Sequence, residues 1–450
     1  MSIQQNFPAI SPSLNLNFAR SKTLDPRITF SRPQTGNGVT YVGEDGLIKY
    51  ASADEPRFDH KYDASTGVIK SLGLLVEEER SNLFTYSEDW SAYQAKQSLD
   101  VTINDITSPD GAETADKLQC NASELSNEGF IQKLQTVTAS TKTYTTSWFV
   151  KRGNTDRTNL STALSGGTYL AVYAYIDWTS SPVSFNYDDN NGSPVYTVHP
   201  SLDEYPNGWY RASISITNNN TNTQITNRIY ASSRSSTVSG DYVYAWGSQA
   251  EEGTFPTSYI RTDTGSQKTR NPDNVSMTGN NFSDWYNPSE GTLYARASIL
   301  GKNIHTTGVE YPNGICKISN SGENASRSRV LYFGGNADPD RVSFGNRDSS
   351  SPITIRDDTF GDIQSNQYYR VCGTYINNDE QALCLNGGSV VDNGTNVNPP
   401  APNQFLIGVG YNGGIADAPD QDEMYLNGHI SKLTYYPTRL SNDQLQNLTK

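Results

Sequence analysis

The feature that most constrains this chain is how short its regular stretches are. Apolar and polar residues alternate in runs such as YTTSWFVK (144–151), GTYLAVYAYIDW (167–178), GWYRASISIT (208–217) and DYVYAWGSQ (241–249), and each run soon meets a turn signal. A period of two sends successive side chains to opposite faces of an extended strand, so each run buries one face and shows the other. Between them lie segments such as SPDGAE (108–113) and YDDNNGSP (187–194), made of the residues that tolerate tight turns. Short strands recurring between such turns imply an antiparallel sandwich. The 28 tyrosines and 36 glycines, against 3 methionines, fit an all-β chain with many turns.

A length of 450 residues suggests two to three domains. The expected architecture is all-β: two antiparallel β-sandwiches of jelly-roll type in tandem, after an irregular N-terminal docking region, with a short C-terminal helix. Residues 1–80 mix short extended pieces with Pro and Gly breaks and show no periodicity long enough for a core of their own. They are expected to lie on neighbouring chain, a second subunit or a particle, and their deletion to leave two folded sandwiches. Residues 81–262 form the first sandwich, 263–289 a polar linker and 290–450 the second sandwich.

In GTLYARASI, Leu293, Ala295, Ala297 and Ile299 share one face, opposite Thr292, Tyr294, Arg296 and Ser298. The odd spacing of Ile430 and Leu433 in GHISKLTYYPTRL predicts a bulge. At the end of the chain Ser441 and Gln444 match a capping box, with Leu440 and Leu445 as its hydrophobic staple, so a helix of one or two turns is expected across a sheet edge.

Charge and ligand arithmetic narrow the functions. A formal net charge of −14 argues against nucleic acid as a partner, since phosphate binding needs clustered Lys and Arg. No run approaches the roughly 18 apolar residues of a membrane span, and the start, MSIQQNFPAISPSLNLNF, lacks the pattern of a signal peptide. No membrane insertion is expected, and synthesis in a cytosol is. The four cysteines show no metal-ligand spacing. Cys372 and Cys384 are expected opposite each other on a hairpin that turns at 377–379, and as free thiols. Loop carboxylates Asp188, Asp189, Asp417, Asp420 and Asp422 are candidates for a structural calcium.

Catalysis is tested by AWGSQAEEGTFPTSYI (245–260), where Glu251 and Glu252 adjoin. Adjacent strand residues point to opposite faces. Glycosidase carboxyls flank one bond, about 5–5.5 Å apart in retaining and about 6.5–9.5 Å in inverting enzymes. The pair is therefore expected as a turn with its charges in solvent. No Ser-His-Asp set, Cys-His pair or phosphate loop stands at a suggestive spacing. The chain is read as non-enzymatic, with no catalytic residue.

Three stretches carry a resemblance. LDPRITFSRPQT…YVGEDGLIKYASADEPRFDH…SLGLLVEEERSNLFTYSED (24–89) resembles the N-terminal region of bacteriophage virion proteins of the tail-fibre or tail structural kind. SPDG (108–111), with GWYR and AWGSQAEEGTFPTSYIRT (within 208–262), resembles the carbohydrate-binding jelly-roll module that follows in those proteins. EGTLYARASI…YYRVCGTY…ALCLNGGSVV…GHISKLTYYPTRLSNDQLQNL (290–448) is similar to a laminin-G/concanavalin-like sandwich.

The resemblance implies a virion location and contacts with other virion proteins through the N-terminal region. It also implies a homo-oligomer, with a trimer favoured, and attachment to a host-surface polysaccharide. A capsid-decorating or architectural protein without ligand is the alternative. A polysaccharide depolymerase is a further one, although the E-x-D-x-x-E strand of concanavalin-like hydrolases is absent.

The candidate glycan-binding residues are Tyr169, Tyr173 and Tyr175, which share the strand face opposite Leu170, Val172, Ala174 and Ile176. A tyrosine ring offers a flat apolar face to the C–H side of a sugar and a hydroxyl to its oxygens. Their joint truncation is expected to leave stability unchanged, unless a loop or a neighbouring chain covers them. Trp148 and Trp209 are expected in the core.

Overall fold

The computed structural model describes residues 10–33, 38–93, 95–198, 202–304, 310–321, 328–334, 341–347, 352–358, 361–395, 397, 399, 401–410 and 424–450. Nearly all of its regular structure is antiparallel strand, arranged as two sandwiches.

In the first sandwich one sheet of seven strands runs in the order Tyr196–Val198, Trp209–Thr217, Thr143–Arg152, Tyr242–Glu252, Ala115–Cys120, Leu99–Ile106, with Asp203–Tyr205 also paired to Trp209–Thr217. The facing six-stranded sheet runs Ser184–Asn191, Leu170–Asp177, Arg157–Ser165, Gln224–Tyr230, Phe130–Thr136, Ala95–Gln97. Alternation decides what lies between them: Leu170, Val172, Ala174 and Ile176 from one sheet meet Trp148, Val150, Ile214 and Ile216 from the other. Trp209 is also buried, but on the outer face of the seven-stranded sheet, clustered with Phe149, Trp246, Tyr259 and Ile48.

The second sandwich draws on distant parts of the chain. Its eight-stranded sheet runs Val391–Asn393, Gln381–Leu385, Tyr369–Ile376, Glu290–Ile299, Gly428–Tyr436, Val68–Val76, Arg57–Asp63, and Leu14–Leu16 pairs with Gly428–Tyr436 as well. Its seven-stranded sheet runs Thr29–Ser31, Asn274–Thr278, Gln404–Ile407, Asn313–Ser319, Ser328–Phe333, Val342–Arg347, Pro352–Arg356. Residues 1–80, expected as an irregular docking region, thus place strands in both sheets, and Leu14, Leu16, Phe18, Leu74 and Val76 lie in the second core. The expected linker 263–289 contributes Asn274–Thr278, and Val275, Met277, Phe282 and Trp285 join the same core. Leu14–Leu16 and Thr29–Ser31 are too short to show a period, and pairing across 350 or more residues leaves no local trace (Leu14 with Tyr435, for example).

Several local expectations have visible physical origins. Leu293, Ala295, Ala297 and Ile299 face the core. The bulge falls at Ser431: Arg296 pairs with Lys432 but Ala297 with Ile430. Gly73 passes this bulge at φ +97°, where a Cβ would stand 2.4 Å from the Ile430 carbonyl oxygen. The helix Asn442–Thr449 has its capping box, and Leu440 and Leu445 are buried. It rests on the outer face of the eight-stranded sheet rather than across an edge, with the Cys384 thiol 3.3 Å from Thr449 Oγ1. Cys372 and Cys384 pair directly across the hairpin, both buried and both free.

The two sandwiches meet at a buried ionic cluster. Arg57 reaches Asp273 (2.5 Å) and Glu77 (2.6 Å), Arg32 reaches Asp273 (2.8 Å), and Arg270 reaches Glu77 (3.1 Å), all with fully buried side chains. Ser258, on the exit from the first sandwich, donates its backbone N–H and its hydroxyl to Glu77, each at 2.7 Å. Burial alone would raise the Glu77 carboxyl, but the Arg270 and Arg57 guanidiniums and the Ser258 bonds hold it down at about 2.

Two outcomes are expected. Glu77→Gln leaves Arg57 and Arg270 short of a counter-charge and should cost about 3–5 kcal/mol at neutral pH, read from urea unfolding. Because the folded carboxyl titrates below its ordinary 4.5, its contribution is full above that pH and is lost as pH falls toward 2, so parent and variant should converge there. Deleting residues 1–80 removes four strands of the second sandwich together with Arg32, Arg57 and Glu77. The shortened chain should lose the cooperative unfolding of that sandwich; a parent-like transition would make the segment a mere appendage.

Candidate functional site

The outer face of the six-stranded sheet collects the sequence-predicted tyrosines. Residues opposite one another across a ladder share a face. Tyr175 stands beside Asn159, which stands beside Tyr230 and then Phe130; one step along, Tyr173 stands beside Ser161, then Arg228, then Gln132. Tyr169 is 38% exposed, whereas Tyr173 and Tyr175 are half-buried.

Arginines roof the half-buried rings. The Arg157 guanidinium lies 3.6 Å from the centre of the Tyr175 ring, and that of Arg234 lies 4.1 Å from the Tyr173 ring. Asp188 holds both in place: it accepts from Arg157 at 2.5 Å and from Asn159 at 3.0 Å, and Arg234 Nε approaches to 3.5 Å. Arg228 lies 4.5 Å over Phe130 and donates to Gln132 (2.8 Å) and Tyr230 (3.4 Å), but has no carboxylate partner among the described residues. Burial and the neighbouring Tyr169 hydroxyl push the Tyr173 phenol up to about 12, so it keeps its proton and remains a donor. The face therefore offers one exposed ring, phenol hydroxyls, and planar guanidiniums already stacked on aromatic rings. Such groups bind hydroxyl and oxyanion oxygens with little further ordering.

The arginines and the second role of Asp188 are what sequence reasoning missed. Alternation in QITNRIY puts Arg228 and Tyr230 on one face, but nothing local says that this face adjoins the tyrosine strand. Asp188, a calcium candidate, is instead taken up by two arginines and an asparagine, and Asp189 lies 3.5 Å from Arg234. Asp417, Asp420 and Asp422 lie outside the described residues, among which no three His, Cys, Asp or Glu side chains group as a metal site.

The glutamate pair departs from expectation. The strand Tyr242–Glu252 continues through both residues, and Glu251 is fully buried. The exit loop folds back over it, so that Thr257 donates its N–H (3.0 Å) and hydroxyl (2.7 Å) and Gln249 its amide (2.6 Å). Glu252 points the other way, to Lys142 at 2.7 Å. The charges stand on opposite faces as alternation requires, but only one is in solvent.

The fold and this face define a protein of two β-sandwiches with an aromatic, arginine-bearing sheet surface. No family model matches the sequence, and no curated protein matches it. Among solved structures, the chain is similar to the CBM40 domain of a Ruminococcus gnavus IT-sialidase bound to α2,6 sialyllactose, at 16% identity over 36% of this chain and 85% of that one, TM-score 0.30. It is also similar to domains LG4-5 of the mouse laminin α1 chain, at 10% identity over 71% of this chain and 90% of that one, TM-score 0.24. At such identities the chemistry of this chain has to be read from its own side chains.

Replacing Tyr169, Tyr173 and Tyr175 together with Ala should not be silent in stability, because two of the rings carry stacked guanidiniums. The expected loss is about 1–2 kcal/mol, from two cation–π pairs at about 0.5–1 kcal/mol each. Trp209→Ala should cost about 3–5 kcal/mol, as for a buried aromatic. Urea titration of the two variants side by side checks the ordering.

Proposed function

We propose that this chain is a non-enzymatic attachment protein that binds a surface glycan on the outer face of its six-stranded sheet. The observation that carries the reading is the contrast between the outer faces of the first sandwich. One is sealed by Trp209, Trp246, Tyr259 and Ile48, while the other leaves Tyr169 exposed beside Tyr173, Tyr175 and Arg228. A tyrosine ring suits the C–H side of a sugar, and arginine donors suit its oxygens.

The finer reading is a bacteriophage virion protein of the tail-fibre kind, a homotrimer joined to other virion proteins through its N-terminal region. The resemblance of residues 24–89 supports it. Thr29–Ser31 is the last strand of its sheet among the described residues, and such an edge can accept a partner strand. Single sugar contacts are weak and gain strength when several copies act together. An architectural role without ligand is the second reading, favoured by Arg157 and Arg234 already sharing Asp188.

The test is binding of host-surface polysaccharide by the assembled protein, with the triple Tyr→Ala variant and Arg228→Ala alongside. Both variants should lose most binding while remaining folded. Binding equal to that of the parent in both would remove this face from the attachment reading.

A further inference from the structure

A second surface has chemistry of its own. Between the two sandwiches lies a cavity of about 670 Å³, within the size range of small-molecule sites. Its floor is the outer face of the seven-stranded sheet of the first sandwich, beyond the patch closed by Trp209. On Trp209–Thr217 the residues Ala212, Ile214 and Ile216 face the core, which turns Ser213, Ser215 and Thr217 outward. Their cross-strand neighbours are Ser147, Thr145 and Thr143, and hydroxyls meet at 2.7 Å (Thr145 with Ser215) and 2.9 Å (Thr143 with Thr217). Tyr205 and Phe255 supply aromatic wall, and Gln364, Asn366 and His429 of the second sandwich stand among the lining residues.

A sheet face covered by another body is ordinarily apolar, because hydroxyls shut against a dry wall lose their hydrogen bonds. Here the covered face is a ladder of hydroxyls with space above it. Ser213 is only 5% exposed and lines this cavity. His60, likewise 5% exposed, also lines the cavity, in the wall shared with a shallower hollow. Its Nδ1 bonds the Val42 carbonyl oxygen at 3.0 Å. A carbonyl can only accept, so Nδ1 carries a proton, and Nε2 is left as a buried ring nitrogen without partner among the described residues.

Charges in the wall are largely consumed: Asp59 holds His429 at 2.8 Å, Lys61 holds Asp203 at 3.0 Å, and the two terminal nitrogens of Arg211 bond Thr257 O and Ser147 Oγ. Of the hydroxyls, Thr145 and Ser215 donate to the exit-loop carbonyls of Gly253 (2.7 Å) and Thr254 (2.9 Å), which leaves Ser213, the Thr143–Thr217 pair and His60 Nε2 as the polar groups beside the aromatic rings. We infer that this cavity is a second binding site, for a neutral saccharide unit, separate from the tyrosine face and not dependent on it.

The experiment is saturation-transfer NMR and calorimetry on the full chain with neutral mono- and disaccharides of glucose, galactose and N-acetylglucosamine, and with their uronic acid counterparts. Four proteins are compared: the parent, Ser213→Leu, Ser213→Ala and the triple Tyr→Ala variant. The parent should bind a neutral sugar. Ser213→Leu, which intrudes into the space, should abolish binding. Ser213→Ala, which preserves the fold if the leucine does not, should weaken it about 5-fold, the loss of one hydrogen bond. The triple variant should bind like the parent. Competition by intact host polysaccharide would identify a chain end as the natural source, and its absence a diffusible sugar; both support the site. No binding of neutral sugars by the parent, binding of uronic acids alone, full affinity in Ser213→Ala, or loss in the triple variant would each overturn it. Failure of polysaccharide binding at the tyrosine face with neutral-sugar binding intact would sink only the attachment reading.

Discussion

The arrangement of the whole chain depends on five buried charges. Arg32, Arg57 and Glu77 come from the N-terminal segment, Arg270 and Asp273 from the stretch between the sandwiches. Three cations face two anions, and carbonyls of Ser52, Glu55 and Glu78 and the Ser258 hydroxyl accept further bonds from the terminal guanidinium nitrogens, while the Nε of all three arginines has no partner among the described residues. Such a cluster contributes little net stability compared with an apolar core of equal volume, yet removing one member strands the others in a low-dielectric interior. Its consequence is geometric: the N-terminal segment, the exit of the first sandwich and the start of the second hold one relative position. The cavity walls and the covered sheet face follow from that position.

The first sandwich then has two unlike outer faces. Where Ile48 of the N-terminal segment and the exit loop press on the seven-stranded sheet, its outward residues become a second small core around Trp209 and Trp246. Where contact gives way to space, the same sheet carries Ser and Thr. The six-stranded sheet has no such cover over Tyr169, and its outward residues are aromatic rings with guanidiniums laid on them. Burial of one face and decoration of the other divide the labour between holding the domains together and meeting a ligand.

Arginine placement sets the chemistry of the free face. Arg157 and Arg234 converge on Asp188 from different segments, one at a strand start and one in the loop after Gln224–Tyr230. Their planes lie on Tyr175 and Tyr173, so rings and cations stiffen each other. Arg228 stands apart without a carboxylate among the described residues, and is the cation on this face most available to an incoming oxygen atom.

Sequence alone determined the local physics of this protein. Alternation placed Leu170, Val172 and Ile176 inside and the tyrosines outside. The odd spacing of Ile430 and Leu433 announced the bulge, the Ser441–Gln444 box capped the final helix, and the hairpin set Cys372 opposite Cys384. Each of these depends on residues within a turn or two of one another. Only the tertiary structure decided that Leu14–Leu16 and Val68–Val76 pair with successive stretches of Gly428–Tyr436, that Glu251 is closed over by Thr257, and that Arg157, Arg228 and Arg234 join the tyrosines. The reason is physical: strand alternation says which face is buried but not what buries it, and partners far apart in sequence leave no periodicity to read.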